Sequence, residues 1–476
     1  MVFSSLPFIF LFLPIFLAVY TLMPARWRNP VLFLGSLVFY AVGSWGYPGH
    51  LLLLAVTIAV DWLLAGMIGR RTGRARRVWL VLGLVFHFGC LFFFKYGAFT
   101  VRNINATFGT ALPVHNYLLP AGISFYTFQA VSYLVDVYRG TCPPAQTLVT
   151  VGTYLTMYPQ LIAGPIVTYD SIRRQLVSRS VSFDSFMDGI RVFILGLGSK
   201  VLLANQLGGL WSDLAMIGYE SVSTPLAWMG IAAFSFQLYF DFYGYSLMAI
   251  GLGQMLGFTI PENFLQPYSA RSMSEFWRRW HVTLSHWFRD YVYIPLGGSR
   301  CGRWRTLRNL LVVWLFTGLW HGAGWNFALW GLVLFVLLAV EKFTGLGRWL
   351  ENHPIAGHLY MLLAIPLTWT VFAITDMGQM GIFFSRLFPV FSGAAPFPHD
   401  YVRFIPQYGH WLLLGLLFST PYPQRLYRRL RQRAEQTDAP GAVLAYGEKV
   451  VLLAIFWAAV YCLYRGLNDP FLYFRF

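Results

Sequence analysis

GHLLLLAVTIAVDWLLAGMI (49–68) runs straight into GRRTGRARR (69–77). An apolar run of about 20 residues rises far enough as a helix to cross a hydrocarbon core of about 30 Å. The arginines behind it (Arg70, Arg71, Arg74, Arg76 and Arg77) are the pattern that holds one end of a span at a membrane surface. The same alternation of apolar run and short polar connection recurs at roughly 6–23, 30–45, 78–98, 117–137, 187–208, 225–257, 310–340, 356–376, 408–420 and 443–464. These lengths predict about 10–12 crossings. Two further segments read as re-entrant or amphipathic rather than spanning. One is 151–168, interrupted by Pro159, Gly164 and Pro165; the other is 262–298, too charged to span. Irregular backbone at membrane depth is tolerated only where protein or water covers it.

Composition agrees. Of 476 residues, 57% are apolar and 11% charged, against roughly 45–50% and about 25% in an ordinary soluble domain. That excludes a soluble globular protein and a disordered one. The continuous apolar runs exclude a transmembrane barrel, whose strands alternate. The expected fold is an all-α polytopic membrane protein forming one integral-membrane domain over 1–476. No Lys or Arg precedes the first run, and Arg26 and Arg28 follow it, which favours a retained first helix with an extracytoplasmic N-terminus.

The net charge of +16 does not point to nucleic acid, because the basic residues sit in short clusters between spans. Anchoring explains the clusters at 70–77, 300–308 and 425–433. A sharper reading applies to the second: Arg303 and Arg305 are candidates for a coenzyme phosphate. Cys90, Cys142, Cys301 and Cys462 are scattered without a CxxC, so neither a disulfide framework nor a metal site is expected. There is no GxSxG elbow, HExxH pair or phosphate-binding loop, and no internal repeat of the kind many transporters carry.

An ionisable residue inside a span is costly and asks for a reason. Asp61, His87, Lys95, Asp136, Asp241, His321 and Glu341 lie in or beside apolar runs. Asp61 and Asp241 are read as interhelical hydrogen-bonding groups, the latter among the phenols of FQLYFDFYGYS (236–246), and Lys95 and Asp136 as span-end groups that pair or snorkel. His321 differs. It sits in TGLWHGAGWNFALWG (317–331), where Thr317, Gly318, Gly324, Trp325 and Ala328 share its helical face. Small neighbours leave room for a ligand or for a close-packed helix. In RSMSEFWRRWHVTLSHWFRD (271–290), a helix would place Trp277, Trp280, His281, Leu284 and Phe288 on one face, with Glu275, Arg278, Arg279, His286, Arg289 and Asp290 opposite. His281 therefore points into the apolar side. Each imidazole alone could be a hydrogen-bonded core residue; two inward imidazoles joined by one basic loop suit general-base chemistry, since burial disfavours the cationic form. The matching reaction is attack of a hydroxyl on an activated acyl group.

The run PENFLQPYSARSMSEFWRRWHVTLSHWFRDYVYIPLGG (261–298) together with TGLWHGAGWNFALWG (317–331) resembles the membrane-bound O-acyltransferase (MBOAT) family. It is most similar to the bacterial branch of alginate and cellulose acetylation membrane proteins and teichoic acid D-alanyl transfer proteins. MVFSSLPFIFLFLP (1–14), GISFYTFQAVSYLVDVYRG (122–140), YPQLIAGPI (158–166), FDFYGYSLMAIGLG (240–253) and PFLYFRF (470–476) carry the resemblance across the chain. It implies a ring of helices around a central tunnel, with a catalytic core about 118–340. His321 matches the catalytic histidine and His281 the second active-site position. Trp280, Trp320, Trp325, Asp241 and Asn326 become candidate tunnel residues. The resemblance further implies a cytoplasmic acyl thioester donor, acetyl-CoA or an acyl carrier, and no permanently bound cofactor. On the far side it implies an extracytoplasmic relay acetyltransferase within a polysaccharide synthesis complex. Tyr243 and Leu247 stand where the branch usually has Ser and Asp. The expectation is a bacterial inner-membrane O-acetyltransferase for an exported polysaccharide. The rivals are the same fold with another acceptor (teichoic acid, lipid or protein) and a transporter that does no chemistry.

Overall fold

The computed structural model describes residues 2–388, 397–434 and 438–466; the closing PFLYFRF (470–476) lies outside them. Among the described residues all regular structure is helical, α with short π and 3-10 turns. The helices used below are α1 (Pro48–Arg70), α2 (Gly73–Leu91), α3 (Ile123–Arg139), α4 (Thr224–Met255), α5 (Met273–Arg279), α6 (Val282–Phe288), α7 (Arg303–His321), α8 (Trp325–Thr344) and α9 (Pro354–Ala373).

Five described helices are long and apolar enough to cross a membrane: α1, the continuous stretch Gly73–Phe108 that begins with α2, α8, α9 and Tyr446–Tyr464. Phe8–Leu22 is apolar but shorter. Leu52 and Leu63 on α1, Val85 on α2 and Leu362 on α9 are exposed, as lipid-facing residues are. The chain is a polytopic all-α membrane protein.

It forms two compact units. The first comprises Met1–Phe193, Met248–Glu262 and His286–Pro295, the second Ile194–Leu247, Asn263–Ser285 and Leu296–Phe476.

In the first unit, the ionisable residues singled out in apolar runs each meet a polar partner. Asp61 on α1 and His87 on α2 meet at 2.7 Å, both buried, so each polar group supplies what the apolar surroundings withhold from the other. Asp136 on α3 accepts the Tyr291 hydroxyl at 2.8 Å, and the Lys95 ammonium lies 3.5 Å from the Ser124 hydroxyl. Residues 151–168, read from the sequence as re-entrant, comprise most of a helix at Leu148–Thr156, a single turn at Tyr158–Leu161 and irregular chain beyond. All of 151–167 is buried, so protein covers the irregular backbone. Gly122, with φ +75, sits so close to Leu161 that a Cβ would lie 2.2 Å from its carbonyl oxygen.

In the second unit, α7 and α8 press backbone to backbone. A Cβ on Gly318 would stand 2.3 Å from the Phe327 carbonyl oxygen, and one on Gly331 2.4 Å from that of Trp314. The small residues beside His321 thus serve helix contact first. Gly318→Ala should cost about 1–3 kcal/mol, because the obstacle is backbone and cannot swing aside. A thermal melt of the purified variant should show the loss; an unchanged melting midpoint would contradict this packing.

Candidate active site

The site is built from α5 upward. Ser272 caps α5 by accepting the Glu275 N–H at 3.0 Å. The buried Glu341 carboxylate, near the end of α8, accepts the N–H of Met273 at 2.6 Å, the N–H of Ser274 at 2.8 Å and the Ser274 hydroxyl at 2.7 Å. Negative charge at a helix N-terminus satisfies amides that the helix leaves unpaired. Glu351 adds an outer clamp, accepting from Ser272 Oγ at 2.9 Å and Arg278 Nη2 at 2.8 Å. Burial alone would raise the Glu351 carboxyl, but the hydrogen bonds from Arg278 and Ser272 and the charges of Arg278 and Arg271 hold it below the usual range. So fixed, α5 buries Phe276 and Trp277 and exposes Arg278.

The sequence predicts one helix through 271–290. Instead the helix breaks at Trp280–His281, and α6 starts at Val282. The sidedness survives the break: Trp277, Trp280, His281, Leu284 and Phe288 are buried, while Arg278, His286 and Arg289 are exposed. The break is where His281 adopts φ +44, a left-handed conformation uncommon for any residue but glycine and costing about 1–3 kcal/mol. Such strain persists only when the surroundings over-determine the residue. Here they do. Phe242 stands perpendicular to the ring at a centroid distance of 4.7 Å, Trp320 lies at 6.0 Å, and Nδ1 is 3.1 Å from Asn263 Oδ1. His281 is 1% exposed.

His321 is the last residue of α7, followed by the extended Gly322. This corrects the helical wheel drawn through 331: Gly322–Gly324 interrupt it, and Trp325 opens α8 at 61% exposure. The rings around His321 include Trp320 at 5.0 Å, Trp330 at 5.2 Å and perpendicular, and Phe372 at 5.3 Å. Gly322 makes room for this turn, since a Cβ there would strike the Phe327 ring at 2.1 Å. Both histidines therefore contact one indole, that of Trp320.

The remaining candidates fall in different places. Trp280 is buried, 5.0 Å from Phe264 and 5.1 Å from Trp369. Asn326 is buried, its Nδ2 donating to the Phe372 carbonyl at 3.1 Å. Asp241 forms a buried ion pair with Lys200 at 2.6 Å. Gly244 lets the two backbones approach beside that pair, because a Cβ there would be 2.7 Å from the Gly196 carbonyl oxygen and 2.9 Å from the Lys200 backbone nitrogen. Lys200 lies on the π turn Ser199–Ala204, a local irregularity that often marks functional positions. Arg303 and Arg305 are exposed at the start of α7, Arg303 lying 5.2 Å over the Phe343 ring. Behind them, Asn309 ties down the turn by donating to the Leu296 and Gly298 carbonyls at 3.2 and 3.0 Å. The four cysteines are free thiols, and among the described residues no three His, Cys, Asp or Glu side chains gather as a metal site.

Sequence reasoning missed Asn263, Lys200, Trp330 and Phe372. Asn263 sits in an irregular segment where no period marks the buried side. Lys200 lies inside the apolar run 187–208, and the cost of an ionisable residue within a span is the signal that could have found it.

The model of the MBOAT, membrane-bound O-acyltransferase family, matches residues 146–365, which contain both histidines and every residue bonded to them above. The whole chain is 37% identical over 504 residues to the probable alginate O-acetylase AlgI of Azotobacter vinelandii, covering 100% of each. It is 43% identical to the protein of the same description from Pseudomonas aeruginosa, over 79% of this chain and 73% of that one. It is 35% identical to a peptidoglycan O-acetyltransferase of Helicobacter pylori, over 72% of this chain and 70% of that one. The chain belongs to the membrane-bound O-acyltransferase family, in the branch of bacterial O-acetylases, and is an acyl-transferring enzyme.

Proposed function

We propose that the chain is an inner-membrane O-acetyltransferase that moves an acetyl group from a cytoplasmic thioester, acetyl-CoA, to a hydroxyl that leads to an exported polysaccharide of the alginate type. One integral-membrane domain of ten to twelve crossings would ring a tunnel reached from both faces, with the core at about 118–340. An extracytoplasmic relay acetyltransferase of a polysaccharide synthesis complex would complete delivery. The observation that carries the reading is the packing of two buried imidazoles, His281 and His321, against Trp320. The relatives named above are described as O-acetylases or O-acetyltransferases, which supports an acetyl donor over a D-alanyl one.

In this mechanism His321 takes the proton of the acceptor hydroxyl as its oxygen attacks the thioester carbonyl. The C–O bond forms, the C–S bond breaks, and the proton passes from the imidazolium to the departing thiolate. Trp280, Trp320 and Trp325 would wall the tunnel with Asn326, and Asp241 would act through its ion pair. Arg303 and Arg305 would hold the coenzyme phosphates.

Purified full-length protein, given labelled acetyl-CoA and alginate oligosaccharide, should release coenzyme A thiol and label the sugar hydroxyls or a relay protein supplied with it. No thiol release from acetyl-CoA, with turnover of a D-alanyl carrier protein instead, would overturn the donor assignment.

A further inference from the structure

Asn263 sits outside the helices that flank the two histidines, yet its amide oxygen faces His281. Its Oδ1 faces three groups: His281 Nδ1 at 3.1 Å, the Thr283 hydroxyl at 2.8 Å and the Thr283 backbone N–H at 3.3 Å. Its Nδ2 donates to Ser246 Oγ at 3.3 Å. Asn263, His281 and Ser246 are each 1% exposed. The orientation of an asparagine amide is settled by its partners, and here one partner decides. A backbone N–H can only donate, so the atom facing Thr283 is the oxygen. An oxygen can only accept, so the proton between Asn263 and His281 sits on Nδ1. A neutral imidazole carries one N–H, and Nε2 then holds the lone pair.

The backbone makes this arrangement hard to escape. The Val282 N–H donates to the Asn263 carbonyl at 3.0 Å and the Leu265 N–H to the Arg279 carbonyl at 2.9 Å. Segment 263–265 is thus pinned beside the break that carries His281. The left-handed φ of His281 is the conformation in which the ring meets both Asn263 and Trp320.

We infer that Asn263 is a positioning residue that fixes His281 as the Nδ1–H tautomer, so that His281 enters acyl transfer through Nε2 as an acceptor of a hydroxyl or thiol hydrogen. This deepens the acyl-transfer reading above and rests on it for the reaction, though not for the tautomer. It rules out polarisation of the thioester carbonyl by His281 Nε2, because a lone-pair nitrogen cannot donate a hydrogen bond.

Nitrogen-15 spectra of the full chain in lipid bilayers, labelled at histidine, read the tautomer without any substrate; His281→Gln assigns the signal. The expected result is a protonated Nδ1 and a bare Nε2. The reverse overturns the inference. The assigned tautomer in a protein that cleaves no thioester would overturn the acyl-transfer reading and leave Asn263 fixing the ring. A second test uses two variants. Asn263→Asp keeps the accepting oxygen and should hold kcat within about tenfold. Asn263→Leu removes the oxygen and should lose about 10²–10⁴-fold in kcat, the range a positioned base contributes, with KM for acetyl-CoA unchanged. Equal kcat in the folded Asp and Leu variants would overturn the role of the oxygen. If the Leu variant does not fold, the spectra and the Asp variant still decide.

Discussion

His321→Gln should lower acetyl release from the thioester by about 10²–10⁴-fold, the contribution of a general base, with KM for the donor little changed. Glutamine is close to histidine in bulk, so it keeps the pocket among Trp320, Trp330 and Phe372 filled but takes up no proton. Position 321 closes α7 beside a glycine turn and is 8% exposed. Loss of the base is therefore separable from loss of the helix contact, which is made by Gly318, three residues earlier on α7, and by Gly331 on α8. Thiol release by purified, monodisperse variant and wild type gives the comparison. Wild-type turnover in the variant would remove His321 from the chemistry.

The second large effect is on folding. Lys200→Met takes the ammonium away from the buried Asp241 carboxylate, and breaking such a pair from one side costs about 3–5 kcal/mol. The pair is 2.6 Å long with both side chains under one-twentieth exposed, so little water is at hand to replace the ammonium. The double variant Lys200→Met with Asp241→Leu should recover most of that loss, because replacing both charges with apolar groups is often neutral or stabilising. Thermal melting of the three variants gives the cycle. A double variant as unstable as the single one would mean that Asp241 serves something other than Lys200. Activity in a stable double variant would separate the carboxylate from any part in the tunnel.

The coarse fold was legible because it follows from solvent. A helix is the one way a lone apolar run can satisfy its backbone in lipid, so GHLLLLAVTIAVDWLLAGMI (49–68) announces α1 without help from tertiary structure. Burial at 271–290 was legible for a related reason: apolar and charged residues segregate whether the helix is whole or broken. The break at Trp280–His281 was not, because it needs partners far away in sequence. Phe242, Asn263 and Trp320 hold His281 in a conformation its own neighbours disfavour. The glycine turn after His321 misled in the same way, since a wheel drawn through Gly322–Gly324 gives Trp325 a place that the chain gives to Trp330. Asp241 showed itself as a buried charge, but its partner Lys200 lies 41 positions earlier on a π turn that no periodicity forecasts.

The central claim is that one buried pair of imidazoles serves a thioester on one side of the membrane and a hydroxyl on the other. Sealed vesicles holding the protein in a single orientation, loaded inside with acetyl-labelled coenzyme A and bathed outside in alginate oligosaccharide with the relay acetyltransferase, test it directly. The account predicts label on the outer polymer, coenzyme A thiol retained inside, and neither in vesicles bearing His321→Gln. Intact acetyl-CoA inside wild-type vesicles, or outer labelling that survives the substitution, would contradict it.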